Sequence, residues 1–121
     1  RRLAKTYKLL LITNGLGDVQ RPRIVNSELK NYFRNLVISD EVGCAKPDER
    51  FFDFAFALMG GPPKHSVLVV GDSLTSDIAG GIRYGIDTCW ANYKNQLRPT
   101  GIRPTYEIHT LGRLINILNE A

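Results

Sequence analysis

A chain of 121 residues, 43% hydrophobic and 23% charged, has enough apolar material for one hydrophobic core and too little length for two, so one domain spanning 1–121 is expected. Its net charge of +4 is carried by residues such as Arg21, Arg23, Lys30, Lys64, Lys94, Arg98 and Arg103, scattered and not interleaved with aromatics, which argues against a nucleic-acid surface. No apolar run approaches the ~20 residues that cross a bilayer, Arg1-Arg2-Leu3-Ala4-Lys5 lacks a signal-peptide centre, and Cys44 and Cys89 are too few for a disulfide framework, so the expected setting is the cytoplasm, with both thiols packing as small apolar groups.

The chain opens without Met, inside what reads as the end of a helix (Leu3, Tyr7), and is expected to be a piece of a longer protein. Lys8-Leu9-Leu10-Leu11-Ile12 reads as a short buried strand closed by Thr13-Asn14-Gly15, where a hydroxyl and backbone amides can hold a phosphoryl oxygen. A helix is predicted from Gly17 or Asp18 toward Phe33, with Ile24, Val25, Leu29 and Phe33 on one face. Leu36-Val37-Ile38-Ser39 is a further strand, and Asp40 to Cys44 read as a loop. Ala45-Lys46-Pro47-Asp48 then opens a helix that buries Phe51, Phe52, Ala55, Leu58 and Met59 before Gly60-Gly61-Pro62-Pro63 stops it. Lys46 is oddly placed there, because a helix N-terminus favours anions, and a functional reason for it is worth seeking.

Val67-Leu68-Val69-Val70 is the most apolar run, mostly β-branched, and it ends abruptly in Gly71-Asp72 before a helix predicted from about Thr75 to Tyr84. A buried parallel strand delivers a carboxylate to its carboxyl edge in this way, where open α/β sheets put their ligands. Asp77 follows in the first helical turn, and the two acids point to a magnesium site. The plain structural alternative is a turn residue followed by a helix N-terminal acid. Gly80 and Gly81 imply close packing of this helix on the sheet, and Gly85 caps it. Asp87 to Ala91 is the next strand, with Asn92 at its tip; Tyr93 to Pro104 is loop; Tyr106-Glu107-Ile108 is a last strand; Thr110 caps a helix carrying Leu111, Leu114, Ile115 and Leu118. Strands alternating with helices at this spacing predict an α/β fold, a doubly wound parallel sheet.

Taken together, Ile12-Thr13-Asn14-Gly15, Ala45-Lys46-Pro47-Asp48 and Val70-Gly71-Asp72-Ser73 with Asp77 resemble the second, third and fourth motifs of the haloacid dehalogenase superfamily, in order and over nearly the whole chain. The resemblance implies a Rossmann-like core in which Thr13 binds the transferring phosphoryl group and Lys46 neutralises nucleophile and phosphate. By the same resemblance Asp72 holds Mg2+ with Asp77 assisting, and Asn14 and Gly15 add substrate contacts. The family's first motif, a strand ending in Asp-x-Asp that supplies the nucleophile, has no counterpart, since Arg1 to Ile12 contain no acid. That central strand and any cap domain are therefore expected in a missing N-terminal segment, and either that segment or a second copy is expected to complete the sheet.

Ile38 to Gly43, Ser76 to Ile82 and Thr88 to Asn92 look like the pyrimidine 5′-nucleotidase subgroup; sialic acid 9-phosphate phosphatases share much of the pattern. The resemblance implies a magnesium-dependent phosphomonoester hydrolase acting through an aspartyl-phosphate on a small phosphorylated substrate, a nucleoside 5′-monophosphate or a sugar phosphate. Haloacid dehalogenase chemistry needs no metal, so the paired acids speak against it. A non-catalytic phosphate-binding remnant or interaction module is the alternative of another class, and an Asp-x-Asp upstream of Arg1 would discriminate. For Trp90 and Asn92, packing and turn formation are expected rather than substrate contact.

Overall fold

The computed structural model describes residues 10–13, 35–97, 101–110 and 112–120. The predicted helix from Gly17 or Asp18 to Phe33 lies outside them, as do Asn14 and Gly15. The chain groups into two compact units, Arg1–Pro62 and Pro63–Ala121.

In the first unit, β1 (Leu10–Thr13) runs parallel to β2 (Asn35–Ile38), with Leu10 opposite Asn35 and Thr13 opposite Ile38. The strand expected over Leu36–Ser39 thus sits one residue earlier, and the expected loop at Asp40 to Cys44 is instead largely a single helical turn, α1 (Ser39–Val42). Ser-Asp-Glu-Val holds one apolar residue and shows no periodicity. The turn is closed by Gly43, which donates to the Ser39 carbonyl at 3.1 Å with φ of 80°, a value that favours glycine. Val42 then packs with Leu10, Ile12 and Cys44 around Val37, Phe51 and Ala55.

Asp48 caps α2 (Glu49–Leu58) by accepting from the Arg50 amide at 2.9 Å. The buried stripe is Phe51, Phe52, Ala55 and Phe56, whereas Leu58, expected inside, is 41% exposed. Phe51 and Phe52 meet edge to face, with ring centroids 6.3 Å apart. With two apolar ridges available in the pattern, packing buries the one containing Phe56, and Leu58, the last residue of α2, stays on the outer side.

In the second unit β3 (Leu68–Gly71), β4 (Asp87–Ala91) and β5 (Tyr106–Ile108) form a parallel sheet in that order, in register Gly71 with Trp90 and Ala91 with Ile108. The crossover from β3 to β4 opens as one π-helical turn, Leu74–Ile78, and continues as α3 (Ala79–Tyr84), capped at Gly85 with φ of 89°. A Cβ on Gly81 would lie 2.6 Å from Val69 Cγ1 and 2.7 Å from Thr88 Cγ2, so α3 rests on β3 and β4 at a distance only glycine allows. Val69, Ile78, Ile86, Cys89, Trp90 and Ile108 form this unit's core, with Leu114 from the closing helix α4 (Arg113–Glu120) also buried. α4 starts later than a cap at Thr110 implies; the Thr110 carbonyl accepts from Arg113 at 3.2 Å instead.

Candidate active site

The candidate residues fall into two groups, one in each unit. In the first, Thr13 is the last residue of β1, and Lys46, partly buried before α2, donates from Nζ to the Ile12 carbonyl at 3.4 Å. A long side chain reaches back 34 positions and sets its charge beside the strand tip, away from the helix dipole that disfavours it. The helix N-terminus is served by Asp48, whose carboxylate also pairs with the Arg50 guanidinium at 2.8 Å. That side-chain hydrogen bond, foremost, holds the Asp48 carboxyl below its ordinary range.

In the second unit, β3 hands over to Asp72, whose carboxylate is exposed and carries no hydrogen bond or ion pair among the described residues. Asp77 behaves differently. It is only 7% exposed, its Oδ2 accepts from the Ser73 amide at 3.4 Å, and it lies so close over Gly71 that a Cβ there would collide with its carboxylate. The Ser73 hydroxyl in turn accepts from the Ser76 amide at 3.2 Å, closing the turn. Asp77 therefore shapes the loop, and Asp72 is the acid offered outward. Among the described residues no group of three or more His, Cys, Asp and Glu assembles as a metal cluster. The donor set nevertheless fits magnesium, a hard cation that takes one or two carboxylates and fills its other positions with water or substrate oxygens.

Beside Asp72 lies a cavity of about 110 Å³, lined also by the segment from Trp90 to Lys94 and by Gln96. Its wall is shaped by Asn92, 3% exposed, whose Nδ2 donates to the Gln96 carbonyl at 2.9 Å and to Glu107 Oε2 at 3.0 Å. Asn92 Oδ1 accepts from the Gln96 amide at 2.9 Å, so the turn reading of this residue holds. Trp90, 1% exposed, packs as expected, but its indole also donates to the Asp72 carbonyl at 3.2 Å. No sequence spacing links 72 with 90; the contact comes from the β3–β4 register.

The sequence profile of the haloacid dehalogenase-like hydrolases matches residues 2–91. The chain belongs to that family. It is 44% identical over 111 residues to the pyrimidine 5′-nucleotidase YjjG of Escherichia coli, a match covering 92% of this chain and 49% of that protein. To the pyrimidine 5′-nucleotidase PynA of Streptococcus pneumoniae it is 36% identical over 118 residues, 98% of this chain and 50% of the other. The crystal structure of YfnB of Bacillus subtilis, bound to magnesium, superposes with a TM-score of 0.94 at 36% identity, covering 98% of this chain and 52% of that one. The chain thus spans about half the length of the curated relatives it matches. Its parallel strands and crossover helix are those of the haloacid dehalogenase-like α/β core.

Proposed function

We propose that the protein containing this chain is a magnesium-dependent phosphomonoester hydrolase acting on nucleoside 5′-monophosphates through an aspartyl-phosphate, in a cytoplasmic setting. The observation that carries the reading is the Lys46 ammonium beside the carboxyl tip of β1, because a fixed cation at that tip is what a phosphoryl group needs. The Thr13 hydroxyl and the backbone after it bind phosphoryl oxygens, with Asn14 and Gly15 assigned the same task. Lys46 neutralises charge that builds on the phosphoryl group as a carboxylate oxygen attacks phosphorus and the ester oxygen leaves. The attacking aspartate belongs to chain outside this sequence, and water later cleaves the acyl phosphate. Asp72, with Asp77 behind it, would hold magnesium, which when bound would supply electrostatic stabilisation of the phosphoryl oxygens. An exposed Asp72 carboxylate with no partner among the described residues favours this over a metal-free dehalogenase.

The test uses the full-length protein and phosphate release from uridine and thymidine monophosphates. Lys46→Met should lower kcat/KM by roughly a thousandfold, the worth of one preorganised charge contact, and Asp72→Asn should abolish magnesium-dependent turnover while the far-ultraviolet dichroism stays unchanged. A loss below about tenfold for Lys46→Met would make Lys46 a surface residue and sink the assignment.

A further inference from the structure

We propose that Trp90 is the positioning residue for Asp72, holding the backbone from which that carboxylate reaches magnesium; the inference rests on the reading of Asp72 as a metal acid. Asp72 lies between the end of β3 and a π-helical turn, and its exposed side chain has no partner among the described residues to fix it. Its placement therefore depends on its main chain, which is gripped from two sides. Asp77 Oδ2 accepts from the Ser73 amide just after it, and the Trp90 indole Nε1 donates to the Asp72 carbonyl itself. Trp90 is suited to this grip because β4 pairs Trp90 with Gly71, so its indole has only to reach one residue beyond its own register position. At 1% exposure the ring has no freedom to move away.

Phenylalanine at this position would keep most of the packing and remove the donor, leaving the Asp72 carbonyl unsatisfied. Magnesium demands near-ideal geometry at short distances, so a carboxylate on a loosened main chain binds it less well. Because Asp72 and Trp90 also line the same cavity, the hydrogen bond ties the acid to the wall of that recess.

The experiment uses the full-length protein and MgCl2 as the titrant. Calorimetry on metal-free protein should show Trp90→Phe binding magnesium about fivefold to tenfold more weakly than wild type, as expected for losing one hydrogen bond that orients a ligand. Amide exchange at residues 71–75 of the metal-free variant should be faster than in wild type. Cys89→Ala, a buried change on the same strand, is the control for a merely structural effect and should leave magnesium affinity and that exchange unchanged. Equal magnesium affinity in wild type and Trp90→Phe, or an equal loss in Cys89→Ala, would overturn the inference alone. Wild-type protein that takes up no magnesium would overturn the metal reading of Asp72 and the inference with it. A second measurement needs no variant to fold: the assigned Trp90 indole N–H resonance of the wild type should shift as magnesium is added, and a resonance that stays still while magnesium binds would also overturn it.

Discussion

Asp72 and Asp77 are chemically identical and only five positions apart, yet one is exposed and the other is buried against the glycine that precedes the first. That close approach makes Gly71 a residue with a stringent requirement. Gly71→Ala should push Asp77 off the Ser73 amide and destabilise the fold by about 1 to 3 kcal/mol, the usual cost of overpacking, with a parallel loss of magnesium-dependent activity in the full-length protein. Thermal denaturation beside an activity assay checks both halves. Cys89 makes a different statement. Burial raises its thiol from the ordinary 9.0 to about 11, so the folded protein holds that proton more tightly than the unfolded chain does. The contribution to stability is fully present below pH 9.0 and is lost as pH rises through about 11. Denaturant midpoints measured across that window should fall in wild type and fall less in Cys89→Ala.

At the scale of elements, α3 shows a helix rule overridden by packing. Alanine is worth about 1 kcal/mol more than glycine in a helix interior, so Gly81→Ala should stabilise an isolated α3. Here the added methyl meets Val69 on β3 and Thr88 on β4, both well inside contact distance. Gly81→Ala should therefore be net destabilising by about 1 to 3 kcal/mol, and the double substitution with Val69→Ala should be less destabilised than the two single effects summed, because the second change removes one of the two atoms the first collides with. A Gly81→Ala protein more stable than wild type in urea titration would mean that α3 can lift off the sheet at little cost. The sequence pair Gly80-Gly81 announced the close packing, and at Gly81 the structure shows it, against Val69 and Thr88.

For the whole molecule, the significant fact is which strands are paired. Among the described residues β1 pairs with β2 alone and β3 with β4 alone, so the two strands whose tips carry the candidate chemistry are also the two edge strands. Unpaired amides and carbonyls on apolar strands cost about 1 to 3 kcal/mol apiece when they are kept from water. We propose that another segment of the same protein, carrying the nucleophilic aspartate, or a second copy of this chain pairs there. The 121-residue chain purified by itself should then associate or unfold without cooperativity, and should release no phosphate. Light scattering, a denaturation curve and a phosphatase assay on the chain alone test this; a monomeric, cooperatively folded and active chain would contradict it.

Much of the fold was legible from neighbours along the chain. β4 and β5 lie where alternation and turn residues put them, the Gly71-Asp72 tip follows an abrupt end to an apolar run, and the caps at Asp48 and Gly85 are local chemistry. The turn at Ser39–Val42 left no such trace, because one apolar residue in four has no period, and the choice of Phe56 over Leu58 turned on which ridge of α2 met its unit's core. The candidate site divides in the same way. Its residue types and their order could be read from the sequence, including Lys46 as a cation in an unfavourable place. That Lys46 turns to Ile12 across 34 positions, that Asp77 folds inward while Asp72 faces outward, and that Trp90 holds Asp72 across 18 positions were settled by tertiary structure. Such contacts follow from strand register and side-chain reach, quantities that exist only once the strands have paired.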